Sequence, residues 1–180
     1  MKIRMLGKMM MTAALAIGAV SAAIPTDGDL AKSVRHEVLM YSRYTLWDDI
    51  NFRVNNGNVE LLGAVTQPYK KKDLGKIVQS IPGVASVTNE LKVLPLSSFD
   101  NRLRLQVAHA IYNDPTLSRY AMGAVPSIHI IVDNGRVTLT GAVNSAAEKQ
   151  IAGMRASGAG LSFGPVVNNL SVDQPAKSKS

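Results

Sequence analysis

The chain has no cysteine, and its aromatic residues amount to only 5% of 180 positions. Without cysteine there is no disulfide, no thiolate metal site, no iron–sulfur cluster and no cysteine nucleophile. The lipid-modified cysteine that tethers a bacterial lipoprotein is excluded on the same ground. Charged residues make up only 18% of the chain. No apolar run reaches the ~20 residues that a membrane-spanning helix needs. No phosphate-cradling G-x-x-x-x-G-K-[ST] loop occurs, and nothing is read as a nucleophile elbow. What remains is 46% hydrophobic, enough for one or two small packed domains.

Charge points first toward nucleic acid and then away from it. The formal net charge is +7. Lys2, Arg4 and Lys8 precede an apolar, small-residue stretch from Met9 to Val20, and Val20-Ser21-Ala22 or Ser21-Ala22-Ala23 offers a signal peptidase small side chains. Residues 1–22 therefore read as a cleaved signal peptide, the alternative being an uncleaved anchor. Their removal takes away three basic residues and no acid, leaving +4. Lys177 and Lys179 belong to a Pro/Ser tail, residues 174–180, expected to be disordered. An exported, mildly basic chain fits a periplasmic protein and does not favour nucleic acid.

The rest of the chain contains one pattern twice. Asn56-Gly57-Asn58-Val59-Glu60-Leu61-Leu62-Gly63-Ala64-Val65 matches Asn134-Gly135-Arg136-Val137-Thr138-Leu139-Thr140-Gly141-Ala142-Val143. Leu30, Val34 and Val38 precede the first at helical spacing, as Leu103, Val107 and Ile111 precede the second. Alternation at Ile50, Phe52 and Val54, and at Ile128, Ile130 and Val132, predicts strands entering Asn-Gly hairpins. Gly63 and Gly141 are expected to end the second strand, where a side chain would obstruct the turn into the next helix. That helix opens at Pro68 in copy one and buries Leu74, Ile77, Val78 and Ile81. In copy two it opens with the capping box Ser145-Ala146-Ala147-Glu148 and turns Ala147, Ile151 and Met154 inward. Asn89-Glu90-Leu91-Lys92-Val93 and Asn168-Asn169-Leu170-Ser171-Val172 close the two copies. The fold class is α+β: two tandem α-β-β-α-β domains, 29–95 and 100–173, each a three-stranded mixed sheet packed against two helices. Leu94 to Phe99 is the linker, and the closing strand is expected to run parallel to a neighbour.

These motifs, N-G-x-V-x-L-x-G-x-V and N-x-L-x-V behind an amphipathic helix, with Pro82-Gly83-Val84-Ala85-Ser86-Val87 in copy one, resemble the tandem BON-domain family. The resemblance covers nearly all of the chain after residue 22. It implies a non-enzymatic periplasmic envelope protein, associated with osmotic and other stress, that binds phospholipid or supports envelope proteins. It implies no cofactor and no metal. The family's glycines, here Gly57, Gly63, Gly83, Gly135 and Gly141, are implied to be structural. Copy two departs from the pattern: Gly158 to Val166 replaces G-V-x-x-V, and about five extra residues lie between Ser118 and Pro126.

Chemistry-bearing residues are few. His36, His109 and His129 make no metal-ligand spacing, and His129 alternates with Ile128 and Ile130, which puts it on a solvent or interdomain face. Asp48-Asp49 precedes a strand with no base to serve it. Two surfaces are candidates for binding. Lys70, Lys71, Lys72 and Lys76 crowd the start of a helix whose N-terminus is already positive, which points to a phosphate-bearing partner or else to a solvated face. Leu161 and Phe163, joined by Tyr120 and Met122 from the extra loop, either enter a membrane headgroup layer or fill copy two's core. Trp47, Tyr41 and Tyr44 read as a core or interdomain plug, the alternative being a membrane interface, which Trp and Tyr also suit. The partner is an anionic phospholipid surface, or alternatively envelope proteins served by a periplasmic chaperone or structural protein; no nucleic acid and no small-molecule substrate is expected.

Overall fold

A computed structural model describes residues 25–123 and 125–173; the expected signal peptide and the 174–180 tail lie outside them. Copy one runs α1 (Asp27–Met40), β1 (Asp49–Asn55), β2 (Asn58–Val65), α2 (Pro68–Gln79), β3 (Ser86–Asn89) and β4 (Lys92–Val93). Copy two runs α3 (Ser98–Tyr112), β5 (Ile128–Asp133), β6 (Arg136–Val143), α4 (Ala146–Ser157), β7 (Val167–Asn168) and β8 (Ser171–Val172), with a 3-10 turn at Ser118–Ala121 in its extra loop. The central strand β2 pairs antiparallel with β1 and parallel with β3 and β4. Asn58 opposite Ser86 and Ala64 opposite Lys92 keep one register, so β3 and β4 are a single strand interrupted at Glu90-Leu91. Copy two repeats this around β6. The expected mixed sheet with two helices is present in each copy.

The interruption explains the N-x-L-x-V motif. Asn89 turns its side chain away from the ladder, donating Nδ2 to the Lys71 carbonyl on α2 (2.7 Å) and accepting from the Leu91 amide (3.2 Å). Asn168 does the same with Lys149 and Leu170. Leu91 and Leu170 then drop into the two cores. Each Asn needs a helix without a side chain at its point of approach. A Cβ on Gly75 would stand 2.9 Å from Asn89 Nδ2, and one on Gly153 would stand 2.8 Å from Asn168 Nδ2.

Both hairpins turn through two residues at positive φ, Asn56 (49°) with Gly57 (76°) and Asn134 (51°) with Gly135 (74°). The first helix of each copy supplies the clasp. Asp27 accepts from the Asn56 and Gly57 amides at 2.7 and 3.0 Å, and Asp100 accepts from the Asn134 and Gly135 amides at 3.0 and 2.8 Å. Charge-assisted bonds of this kind tie helix to turn across the sheet. They also set where copy one starts: α1 begins at Asp27, capped by Thr26, rather than at the expected residue 29.

Three expectations are corrected. Gly63 and Gly141 lie within β2 and β6, not at a turn. Their Cβ atoms would stand 2.1 Å from the Asp49 carbonyl oxygen and 2.0 Å from that of Ser127, so the hairpin partner's backbone, not the turn into the next helix, demands glycine. In α4 the inward residues are Glu148, Ala152 and Ala156, while Ala147 and Met154 face solvent. The linker is also shorter than Leu94 to Phe99, because Leu94 is buried against Ala64 and Ile131, and α3 starts at Ser98.

The copies touch through copy one's segment before β1. The Ile130 amide on β5 donates to the Leu46 carbonyl (2.8 Å), and Leu46 and Trp47 pack on copy two's core. Thr140 bonds Asp49 at 3.1 Å, and Lys92 pairs with Asp133. Replacing Asp100 by Ala is expected to cost about 2–3 kcal/mol, because the Gly135 amide it serves is buried. Asp27→Ala is expected to cost less, since its turn is partly solvated. Denaturant unfolding of the two variants measures both.

Candidate functional site

Lys70 does not belong to the basic surface expected for it. It is 4% exposed, and its ammonium donates to Asp48 Oδ2 (2.6 Å), Thr66 Oγ1 (3.0 Å) and Thr45 Oγ1 (3.3 Å). Asp48 is fully buried and also accepts from the backbone amides and hydroxyls of Thr45 and Thr66. Every donor this carboxylate needs comes from within one turn of chain on either side of β1 and β2. Helical spacing contained the clue, for Lys70, Leu74 and Val78 lie on one buried stripe of α2. Of the remaining lysines, Lys72 and Lys76 are exposed one helical turn apart, beside a shallow groove with Gly75, Val87 and Asn89, and Lys71 is half-buried.

Copy two fills the same slot with opposite charge. Glu148 occupies the position of Lys70; it accepts from the Tyr120 hydroxyl (2.9 Å) and the Ser145 hydroxyl (3.0 Å) and pairs with Arg119. The Tyr120 hydroxyl in turn accepts from the Asn144 amide (2.7 Å). Tyr120 is therefore a buried core residue, which corrects its expected place on an exposed loop. Met122 is exposed, but it lies at the end of copy two opposite the Asn134-Gly135 hairpin, roughly the length of a six-residue strand (~20 Å) away.

Leu161 and Phe163 do form an exposed apolar loop. Leu161 is 84% and Phe163 66% exposed. The Phe163 ring stacks on Phe99 of α3 (centroids 4.9 Å) and lies against Gly135, where a Cβ would come within 2.4 Å of it. Its amide donates to the Gly135 carbonyl (2.8 Å), as Ala85 does to Gly57 in copy one. Gly160 rests against Leu103 and Gln106 of the same helix. Arg102 lies on the α3 face between Phe99 and Gln106, and Arg136 follows Gly135. Both arginines are exposed, and neither forms an ion pair among the described residues. Gly160-Leu161-Ser162-Phe163-Gly164 does have G-x-S-x-G spacing. It follows a helix and precedes a strand, the reverse of a nucleophile elbow, and the Ser162 hydroxyl donates to the Gly164 carbonyl (2.6 Å).

The interdomain cleft holds the one histidine that is buried among the described residues. His129 is 7% exposed and stacks on Tyr44 at 5.2 Å, with its Nε2 3.4 Å from the Tyr44 hydroxyl. Of its two expected faces, solvent or interdomain, the interdomain one is observed; Trp47 packs on copy two's core, Tyr41 and Tyr44 pack on copy one's core as a core or interdomain plug would, and Tyr41 bonds Asp73. Nδ1 of His129 lacks a partner among the described residues. Burial lowers its pKa below 6.5, against an opposing pull from the backbone of Asp48 and Thr45 and from the Asp49 and Asp48 carboxylates.

This geometry defines a duplicated α+β module whose conserved-looking signatures between copies are spent on turns, clasps and strand breaks. The BON-domain model matches residues 26–95 and 100–174, and the chain belongs to the BON-domain family as a tandem pair. No curated protein sequence matches it significantly. Among solved structures it is similar to CdsD, a structural protein of the type III secretion system of Chlamydia trachomatis, at 15% identity and a TM-score of 0.31; the match covers 80% of this chain and 61% of that one. A structure of the C-terminal domain of CdsD matches at 15% identity and a TM-score of 0.29, covering 80% of this chain and 97% of that one.

Two outcomes are expected. Lys70→Met strands a buried carboxylate and is expected to cost about 3–5 kcal/mol, whereas Lys72→Met costs less than about 0.5 kcal/mol. Because folded His129 binds its proton more weakly than unfolded His129, the unfolded state protonates first as pH falls through 6.5, and stability declines from there until the folded ring also protonates. Thermal melting at about pH 7.5 and about pH 5.5 is expected to show a drop that His129→Phe reduces.

Proposed function

We propose that the protein is a non-catalytic membrane-docking module of the bacterial cell envelope, exported to the periplasm and held on anionic phospholipid by copy two's Gly158–Gly164 loop. The observation behind this reading is the pairing of exposed Leu161 and Phe163 with the unpaired guanidinium groups of Arg102 and Arg136. Apolar side chains on a loop lower their free energy by entering the headgroup boundary, roughly 1.5–3 kcal/mol for full burial of a leucine or phenylalanine. Each arginine beside an anionic leaflet adds about 1 kcal/mol. Leu161 is the inserting residue, because Phe163 also braces the hairpin through Phe99 and Gly135. Lys72 and Lys76 present a second basic site on copy one, and a role in envelope or osmotic stress accords with family membership.

The test is co-sedimentation of the chain from Ala23 to Ser180 with anionic and neutral vesicles at low and moderate salt. Binding to anionic vesicles alone, weakened by salt and by Leu161→Asp, is the expected result. Equal binding by wild type and Leu161→Asp would remove the loop from the mechanism, and no binding to either vesicle would end the membrane reading.

A further inference from the structure

The outer edges of β1 and β5 are equivalent strands treated in opposite ways. Backbone groups of residues 128, 130 and 132 on β5 point away from β6, and one group of each residue has a partner. Tyr112 on α3 donates its hydroxyl to the Ile128 carbonyl at 2.5 Å, Leu46 accepts from the Ile130 amide at 2.8 Å, and Arg104 on α3 donates to the Val132 carbonyl at 2.6 Å. The edge that sheets leave open to further pairing is plugged at three points along its length.

The corresponding positions on β1 are Ile50, Phe52 and Val54, and none of the three plugs is reproduced. Aligning Leu30, Val34 and Val38 with Leu103, Val107 and Ile111 places Ala31 where α3 has Arg104, and Leu39 where it has Tyr112. Neither alanine nor leucine can hydrogen-bond a strand. On β1 no segment among the described residues occupies the place that Leu46 takes on β5. Among the described residues no group bonds the outward Ile50 carbonyl, Phe52 amide or Val54 carbonyl. In their place runs a groove of about 450 Å³ between α1 and β1, lined among others by Arg35, Leu39, Tyr44, Ile50 and Phe52. Among the described residues its charged lining residues are Arg35 and Lys32, the latter also paired with Asp29 at 3.2 Å. The groove shares Arg35, Leu39, Tyr44, Ile50 and Asn51 with the interdomain cleft at His129, so it continues past the end of β1.

We propose that the α1–β1 groove is a β-augmentation site that takes an extended segment of a partner polypeptide, with an apolar or aromatic anchor followed by carboxylates. Copy two supplies the template. The segment that meets β5 is the Thr45–Asp48 turn, which offers the Leu46 carbonyl and a Leu-Trp anchor, while the acids of the proposed ligand are set by the basic Lys32 and Arg35 on the groove. A ligand of that composition on β1 bonds the Phe52 amide through its own carbonyl, lays its anchor between Leu39 and Phe52, and meets Lys32 and Arg35 with its carboxylates. Main-chain bonds then supply affinity, and the anchor and rim charges supply selection. This site is separate from the Leu161 loop, so the failure of either reading leaves the other intact.

The probe is a blocked synthetic peptide of sequence Tyr-Thr-Leu-Trp-Asp-Asp, titrated into the chain from Ala23 to Ser180 with NMR and amide hydrogen exchange as readouts. The peptide is expected to slow exchange at the Phe52 amide and leave Ile130 unchanged. Ala31→Arg with Leu39→Tyr grafts the copy-two plugs onto α1 and is expected to weaken binding at least about tenfold; Arg35→Glu, which leaves the groove's shape alone, is expected to do so as well. Leu161→Asp is expected to leave peptide binding unchanged. No effect on Phe52 at peptide concentrations up to about 1 mM would overturn the proposal. So would binding that survives both groove variants. Concentration-dependent self-association that Arg35→Glu abolishes would assign the groove to a second copy of this chain and overturn the partner-peptide assignment.

Discussion

The buried Asp48–Lys70 pair is the constraint on which the arrangement of the two copies rests. A carboxylate with no solvent access is costly unless its lone pairs are met, and here Thr45, Thr66 and Lys70 meet them all. Satisfying Asp48 pins the Thr45–Asp48 turn, closed by a backbone bond from the Asp48 amide to the Thr45 carbonyl at 3.0 Å. The same turn projects the Leu46 carbonyl toward Ile130, lays Trp47 on copy two's core and sets Tyr44 against His129. An electrostatic requirement inside copy one thus becomes a strand-edge contact with copy two.

Duplication has preserved the frame and let the slots diverge. Both copies keep the acid that clasps an Asn-Gly turn, the glycine that faces a strand backbone, and the asparagine that breaks the closing strand. Three slots differ in content. Lys70 answers to Glu148, Ala85 to Phe163, and Ala31 with Leu39 to Arg104 with Tyr112. Copy two in consequence has a closed strand edge and an apolar loop, while copy one has an open edge and an exposed pair of lysines. The two proposed binding surfaces lie in those differences, since the shared residues are already committed to holding the fold.

Periodicity and glycine patterning made the architecture legible, because both report backbone geometry directly. Strand alternation around Asn56-Gly57 and Asn134-Gly135 placed the hairpins, and i, i+4, i+8 spacing placed the helices. Side-chain destinations that depend on a distant partner were not legible in the same way. A triple lysine reads as a solvated face, and only the position of Lys70 on the Leu74–Val78 stripe hinted otherwise. Tyr120 lies in an insertion with no counterpart in copy one, so no repeat could show its bond to Glu148. Glu148 itself displaced the expected inward face of α4, since a carboxylate served by Tyr120, Ser145 and Arg119 takes a core position that patterning reserves for apolar residues. The loop at Leu161 and Phe163 stood between core and surface in the sequence, and its exposure follows from Phe163 being stacked on Phe99 outside the sheet.

The contrast between the two strand edges links the buried pair, the interdomain contact and the open groove in one observable. Amide hydrogen exchange resolved at Ile130 and Phe52 in the unliganded chain measures it directly. Slow exchange at Ile130 and rapid exchange at Phe52 is the expected result, because one amide is held by Leu46 and the other has no partner among the described residues. Equal rates at the two positions would contradict it, and with it the claim that copy one's segment closes copy two while its own edge stays open.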